Sequence, residues 1–102
     1  MNTIICLSPD GNITSLEYCH KELNTYFNNN EIELCGAIDS HMAIAVSQLN
    51  SAEQVNVFSV KFTEYFNKHI RGVILLVGSD SNGEACDLEI DIIQSKLSLN
   101  QP

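Results

Sequence analysis

The chain has 102 residues, a length that suits one domain (residues 1–102). Of these residues, 44% are hydrophobic and 18% charged, a composition typical of a globular domain rather than of a disordered segment. Its 13 acidic and 5 basic side chains give a formal charge of −8. Such a field repels nucleic-acid phosphates and anionic membranes, so we exclude both as expected partners.

The first predicted elements are a strand, a turn and a helix. Apolar residues at 4–7 predict the strand, and the Pro-Asp-Gly-Asn run at 9–12 is typical of a tight turn. Thr14 followed three residues later by Glu17 resembles a capping box, which predicts a helix. Its apolar positions at helical spacing are Leu16, Cys19, Leu23, Tyr26 and Phe27. Three asparagines at 28–30 favour an end to this helix.

Two further strands are predicted next. Residues 32–38 alternate between apolar and other side chains, which is typical of a half-buried strand. Residues 42–47 place large side chains on one face and small ones on the other, and 39–41 would form the hairpin turn between the two strands. A helix is the alternative interpretation of 42–47, because this segment contains two alanines.

A second helix and two strands complete the prediction. Ser51 and Gln54 resemble another capping box, and Gly72 is a typical helix stop. Apolar residues recur between them at helical spacing: Val55, Phe58, Phe62, Phe66 and Ile70. Residues 73–77 predict a strand, 78–85 a polar loop, and the alternation from Cys86 to Ile92 a final strand.

This element order, β-α-β-β-α-β-β, matches a ferredoxin-like split βαβ plan with one added strand. We therefore expect an α+β fold with a five-stranded antiparallel sheet in the order 5-4-1-3-2 and two helices on one face. Strands 1, 3 and 4 would lie inside this sheet, because they are apolar or small on both faces. Strands 2 and 5, which carry the acids, would lie at its edges.

That arrangement leaves the sheet face opposite the helices with an apolar centre. We expect Ala43 and Ala45, together with Cys35 and Ala37, to form an interface or pocket there. A second copy, a different protein or a small ligand could cover it, and we favour a homodimer because symmetric dimers are the commonest assembly. The alternative is that the chain's own terminal residues fold over this face.

Acidic residues supply the second candidate surface. Asp87, Glu89 and Asp91 would project from one face of the final strand at about 7 Å intervals, with Glu33 on the other rim. Such a row is suited to contact with a basic protein, because opposite charges speed association and improve specificity. The alternative interpretation is an edge strand whose charges prevent aggregation.

Catalytic, metal and cofactor sites are not predicted. The four cysteines form no C-x-x-C pair, and without an export signal we expect reduced thiols in a cytoplasmic chain. Cys19 and His20 are sequence neighbours and would not face each other on a helix. His41 and His69 belong to no recognisable triad. No phosphate-binding or zinc-protease motif is present.

The leading hypothesis is a small, acidic, non-enzymatic interaction module that binds and modulates a basic protein, as an inhibitor or immunity-type protein does. The alternative is a dimeric α+β barrel-like domain that encloses a small-molecule ligand or substrate between paired sheets. Neutralising Asp87, Glu89 and Asp91 would impair the first, and bulky substitutions at Ala43 or Ala45 would impair the second.

Overall fold

A computed structural model describes residues 1–38 and 43–99 and shows an α+β protein built on an antiparallel sheet. The strands of the described chain are β1 (Asn2–Leu7), β2 (Ile13–Tyr18), β3 (Ile32–Ile38), β4 (Ala43–Gln48), β5 (Ile74–Ser79) and β6 (Ala85–Cys86). The helices are a 3₁₀ turn (His20–Glu22), α1 (Leu23–Tyr26), α2 (Val57–Lys61) and α3 (Ile90–Lys96).

The strands follow the order β2-β1-β5-β4-β3, and the short β6 pairs with the end of β5. All pairs are antiparallel. β5 lies at the centre because its sequence, ILLVGS, is buried at every position except Ser79. A continuous apolar run of this kind can be accommodated only where both faces of the strand are covered.

The predicted ferredoxin-like topology with strand order 5-4-1-3-2 is wrong. The three segments expected inside the sheet do lie there, but β5 rather than β1 is the central strand. The first predicted helix is replaced by β2 and two short helical turns. The tight turn at 9–12, with Gly11 at φ 108°, folds β2 directly back onto β1, pairing Leu7 with Ile13 and Asn2 with Tyr18. Leu16 and Leu23, which were predicted to lie on one face of a helix, instead pack into the same apolar cluster on one face of the sheet.

The second predicted helix is also wrong over most of its length, since only α2 is helical. The Tyr65 carbonyl accepts a hydrogen bond from the Ala37 amide, and the Asn67 amide donates to the Cys35 carbonyl. These bonds to β3 cannot coexist with a continuous helix, whose backbone groups bond within the helix. Phe58, Phe66 and Ile70 are nevertheless buried, as their apolar spacing predicts.

The final predicted strand is likewise corrected. Only Ala85 and Cys86 are extended, and α3 begins at Ile90. Two apolar patterns overlap in this segment. The helical pattern prevails because it buries Ile93 and Leu97 completely, whereas a strand ending at residue 92 would bury neither. Residues 42–47 are extended as predicted from Ala43 onwards, whereas Met42 and the predicted turn at 39–41 lie outside the described residues.

Both sheet faces are covered. The front face is packed beneath α2, α3 and the segment 62–70, and it includes Ile5, Leu7, Ala43, Ala45, Ile74 and Leu76. The back face is packed beneath the segment 20–27, and it includes Ile4, Cys6, Val46, Leu75 and Val77. Burying a side chain of this size contributes roughly 1.5–3 kcal/mol, so short helices suffice as covers when they carry residues such as Phe58 and Leu23.

A buried polar network at Asn56 attaches the front cover to the sheet. The Asn56 side chain donates to the Leu7 carbonyl at 3.0 Å and to the Gly72 carbonyl at 2.9 Å, and it accepts from the Phe58 amide at 3.0 Å. The last bond also caps α2. Ser59 Oγ donates to the Asn56 carbonyl and accepts from the Ile70 amide, both at 2.8 Å. Asn56 therefore joins the end of β1, the residues before β5 and the start of α2.

Replacing Asn56 with alanine should lower the free energy of unfolding by about 3 kcal/mol, because two buried carbonyls and one amide lose their partner and the helix loses its cap. Denaturant unfolding followed by circular dichroism measures this loss. The control variant Asn67→Ala changes the same side chain at an exposed position, and it should shift the value by less than about 0.5 kcal/mol. Equal effects of the two substitutions would contradict the role of this network.

Candidate functional site

The acidic residues predicted to bind a partner lie close together in the chain but not on one strand. Asp87 belongs to the loop between β6 and α3, Glu89 is the N-cap residue of α3, and Asp91 is in its first turn. All three are exposed. They are therefore available to a partner, although the even spacing expected of a strand is absent.

Thr3 on β1 anchors this acidic segment to the sheet. The Thr3 amide donates to Asp87 Oδ1 at 2.9 Å, and the Thr3 carbonyl accepts from the Leu88 amide at 3.0 Å. Asn2 Nδ2 donates to the same Asp87 oxygen at 3.1 Å. The Thr3 hydroxyl donates to Glu17 Oε1 at 2.6 Å. Two carboxylates, from β2 and from the loop after β6, thus converge on one residue.

Glu17 is a member of this surface that the sequence analysis missed. It lies opposite Thr3 in the β1–β2 ladder. The signal that could have found it is the Pro-Asp-Gly-Asn turn at 9–12, which, read as a hairpin turn, brings β2 back along β1. The capping-box interpretation of Thr14 and Glu17 obscured this signal.

A groove of about 230 Å³ adjoins the convergent carboxylates. Its lining residues are Asp87, Leu88, Glu89, Ile92 and Ile93. Leu88 and Ile93 are buried, whereas the Ile92 side chain is 37% exposed. We call Glu17, Asp87, Glu89 and Asp91, together with this groove, the acidic surface. It combines negative charge with a small apolar floor.

Negative charge predominates at the acidic surface, although the N-terminal ammonium and His20 lie near Asp87. Residues 80–91 include five carboxylates and no lysine, arginine or histidine. The Asp80 side chain stabilises its own loop, because its Oδ1 accepts hydrogen bonds from the amides of Asn82 and Glu84, both at 2.9 Å. Across residues 1–38 and 43–99, no ion pair involves Glu89 or Asp91. Neither carboxylate is therefore paired within the described part of the chain.

Glu33, the fourth predicted member, is not brought to the acidic surface. It lies on β3, at the opposite edge of the sheet from β2. Its Oε1 is 2.9 Å from Lys68 Nζ, so it forms an ion pair. It lines a polar cleft of about 130 Å³ that also contains His69 and Arg71. Glu33 thus belongs to a region of mixed charge.

The residues predicted to form a sheet-face interface occupy two environments. Ala43, Ala45 and Cys35 are buried in the front-face core under α2 and the segment 62–70. Ala37 is half-buried on β3. Burial raises the pKa of the Cys35 thiol to about 11, which keeps it protonated and unreactive at neutral pH. The chain's own covering segments therefore occupy the space that a partner would need at the first three positions.

His20 is close to the acidic surface. Within the part of the chain that the structure describes, its Nε2 atom is buried without a hydrogen-bond partner. Burial lowers the pKa of His20, and the negative charge of Asp87 opposes this effect. Cys19, the adjacent residue, is a half-buried free thiol. His41 lies outside the described residues.

Comparisons with known proteins add no assignment: no family model matches the chain, and neither a curated protein nor a solved structure matches it significantly. Within residues 1–38 and 43–99, no group of three or more His, Cys, Asp and Glu side chains is arranged to hold a metal ion. The helices described there are too short to cross a membrane.

We expect Asp87 to remain ionised at a lower pH than an ordinary aspartate. The hydrogen bonds from the Thr3 amide and the Asn2 side chain lower its pKa. A lowered pKa stabilises the folded state above the unfolded value of about 3.9, and the contribution is lost as the pH falls through the folded value. Carboxyl NMR titration measures this pKa. A normal value, or an Asp87→Asn variant with an unchanged acid-unfolding profile, would contradict the Thr3 anchor.

Acidification should also destabilise the fold through His20. Because burial lowers its pKa, the unfolded chain binds the proton more readily, so stability falls as the pH drops below about 6.5. His20→Gln should weaken this dependence between about pH 7 and 5 in thermal unfolding experiments. The control His69→Gln, on an exposed segment, should retain it. Identical profiles for the two variants would refute the assignment.

Proposed function

We propose that this chain is a small, acidic, non-enzymatic interaction module that binds a basic surface of another protein through the acidic surface. The observation that carries the proposal is the convergence of Glu17 and Asp87 on Thr3, near Glu89 and Asp91, which have no ion pair within residues 1–38 and 43–99. Unpaired carboxylates contribute little to folding, so their concentration supports a role in binding.

The groove adds an apolar component to this binding mode. Interfaces generally combine a buried apolar centre with a polar rim. Leu88 and the half-exposed Ile92 form such a centre, and Asp87 and Glu89 lie on its rim. A partner with an apolar side chain flanked by lysines or arginines is complementary to both features.

The hydrogen bonds to Asp87 also favour binding. Its carboxylate is held by the Thr3 amide and Asn2, so little side-chain entropy is lost when a cation approaches. Both bonds end on Oδ1, so Oδ2 can accept a charge-assisted hydrogen bond from a lysine or arginine. Where the partner uses its basic surface to bind nucleic acid, the carboxylates replace phosphates and the module acts as an inhibitor.

Affinity capture from the native host's lysate tests the proposal with a charge-matched pair of variants. Glu89→Gln with Asp91→Asn removes two charges from the acidic surface. Glu31→Gln with Glu64→Gln removes two exposed charges elsewhere. We expect a basic protein to be retained by the wild type and the control, released by salt, and retained roughly tenfold less by the first variant.

Thermal unfolding of both variants excludes a trivial loss of folding, since Asp91 stabilises α3 by only about 0.3–1 kcal/mol. Equal capture by the two variants would show that overall charge, not the acidic surface, attracts the partner. Capture that is insensitive to salt would refute an electrostatic binding mode.

A further inference from the structure

The two edges of the sheet differ in how they are protected. The outer side of β3 is bridged by the hydrogen bonds of Ala37 to Tyr65 and of Asn67 to Cys35, at 3.0 and 3.1 Å. A register shift between Leu34 and Gly36 further interrupts this strand. Bulges and covering segments are common protections against the pairing of an edge with another chain.

Among the described residues, the outer side of β2 has no bulge and no bridging backbone hydrogen bond, although α3 contacts the strand. Its sequence, ITSLEY, contains no proline and no lysine, and all six residues pair with β1 without a register shift. In the described residues, the β2 backbone makes no hydrogen bond other than those of the ladder to β1. Six residues match the length of a typical strand.

The direction of the free backbone groups follows from Thr3. Its amide and carbonyl are engaged by Asp87 and Leu88, on the side of β1 that faces β5 and β6. Backbone groups alternate in direction along a strand, so Asn2, Ile4 and Cys6 face β2. Their partners Tyr18, Leu16 and Thr14 face β1 in turn. The remaining three residues, Ile13, Ser15 and Glu17, direct their amides and carbonyls away from the sheet.

We propose that an extended basic segment of the partner adds to β2 as a seventh strand of the sheet, a mode known as β-augmentation. This inference rests on the proposed function and specifies how the partner binds. Backbone hydrogen bonds to Ile13, Ser15 and Glu17 hold the segment in place.

Charge determines the chemistry of the added strand. Glu17 projects from β2 itself, whereas Asp87 is held on the other side of β1, where the Thr3 amide faces β5 and β6. The exposed Asp10 lies in the turn at the other end of β2. Lysines or arginines on the added strand meet the carboxylates of Glu17 and Asp10, and Asp87 adds to the negative potential of this end of the sheet. A second copy of the chain is disfavoured, because each copy carries a net charge of −8.

Two synthetic peptides of alternating lysine and valine test the inference on the wild-type protein. One has free backbone amides, and the other is methylated at every backbone nitrogen, which removes all backbone donors and keeps the lysine charges. We expect the methylated peptide to bind at least about tenfold more weakly in calorimetry, because backbone hydrogen bonds are lost. Amide exchange of Ser15 and Glu17 should slow only with the unmethylated peptide.

The variant Ser15→Pro provides a second test. It removes an outward amide that β1 does not use, so an edge strand can accommodate it. It should reduce binding of the unmethylated peptide by about tenfold as well. Circular dichroism checks its fold, and the methylation comparison remains decisive if this variant unfolds.

Each result has one meaning. Equal affinity for both peptides overturns strand addition but leaves the charge-based function intact. Binding of neither peptide also overturns strand addition, and the charge-matched capture experiment then decides the proposed function separately. A wild-type dimer that Ser15→Pro dissociates would overturn the inference in favour of a second copy at β2.

Discussion

The side chain of Asn56 is the interaction on which the rest of the fold depends. It binds the carbonyls at the end of β1 and just before β5, and it caps α2. These contacts hold the segment 57–70 against the front face, where Phe58 and Ile70 cover Ala43 and Ala45. Buried polar groups of this kind are costly unless every partner is present, and complete pairing therefore selects one arrangement of the chain.

Covering both faces of the sheet has a consequence for function. Because the front and back of the central strands are buried by the chain itself, the edges and the loops are the surfaces open to the proposed partner. The Thr3 anchor brings an edge, β2, and an acidic loop together. The β3 edge instead carries the Glu33–Lys68 pair and is bridged by the segment 65–67. The asymmetry between the two edges distinguishes the β2 end of the sheet, which we call the binding end because the proposed partner would bind there.

Sequence patterns identified the strands that depend on local alternation, such as β3 and β4, and the apolar residues that are buried, such as Phe58. The sequence patterns gave the wrong element where the spacing of apolar residues in one segment is compatible with both a helix and a strand. Residues 14–27 and 86–97 each satisfy a helical and an extended pattern, and long-range contacts decide between them. Similarly, Asp87 was recognised from its acidic neighbours, but its link to Glu17 depends on pairing across 70 positions of chain, through Thr3. Glu33 was grouped with it because a different strand order was expected.

The central claim is that the binding end is formed by β2, Thr3 and the start of α3. NMR mapping of a basic peptide on the isotope-labelled chain tests this claim most directly. The account predicts that amide shifts change first and most at Thr3, Glu17, Leu88 and Ile92, and that added salt reverses them. Changes centred on the cleft of Glu33, Lys68 and Arg71, or spread evenly over the acidic residues of the chain, would contradict it.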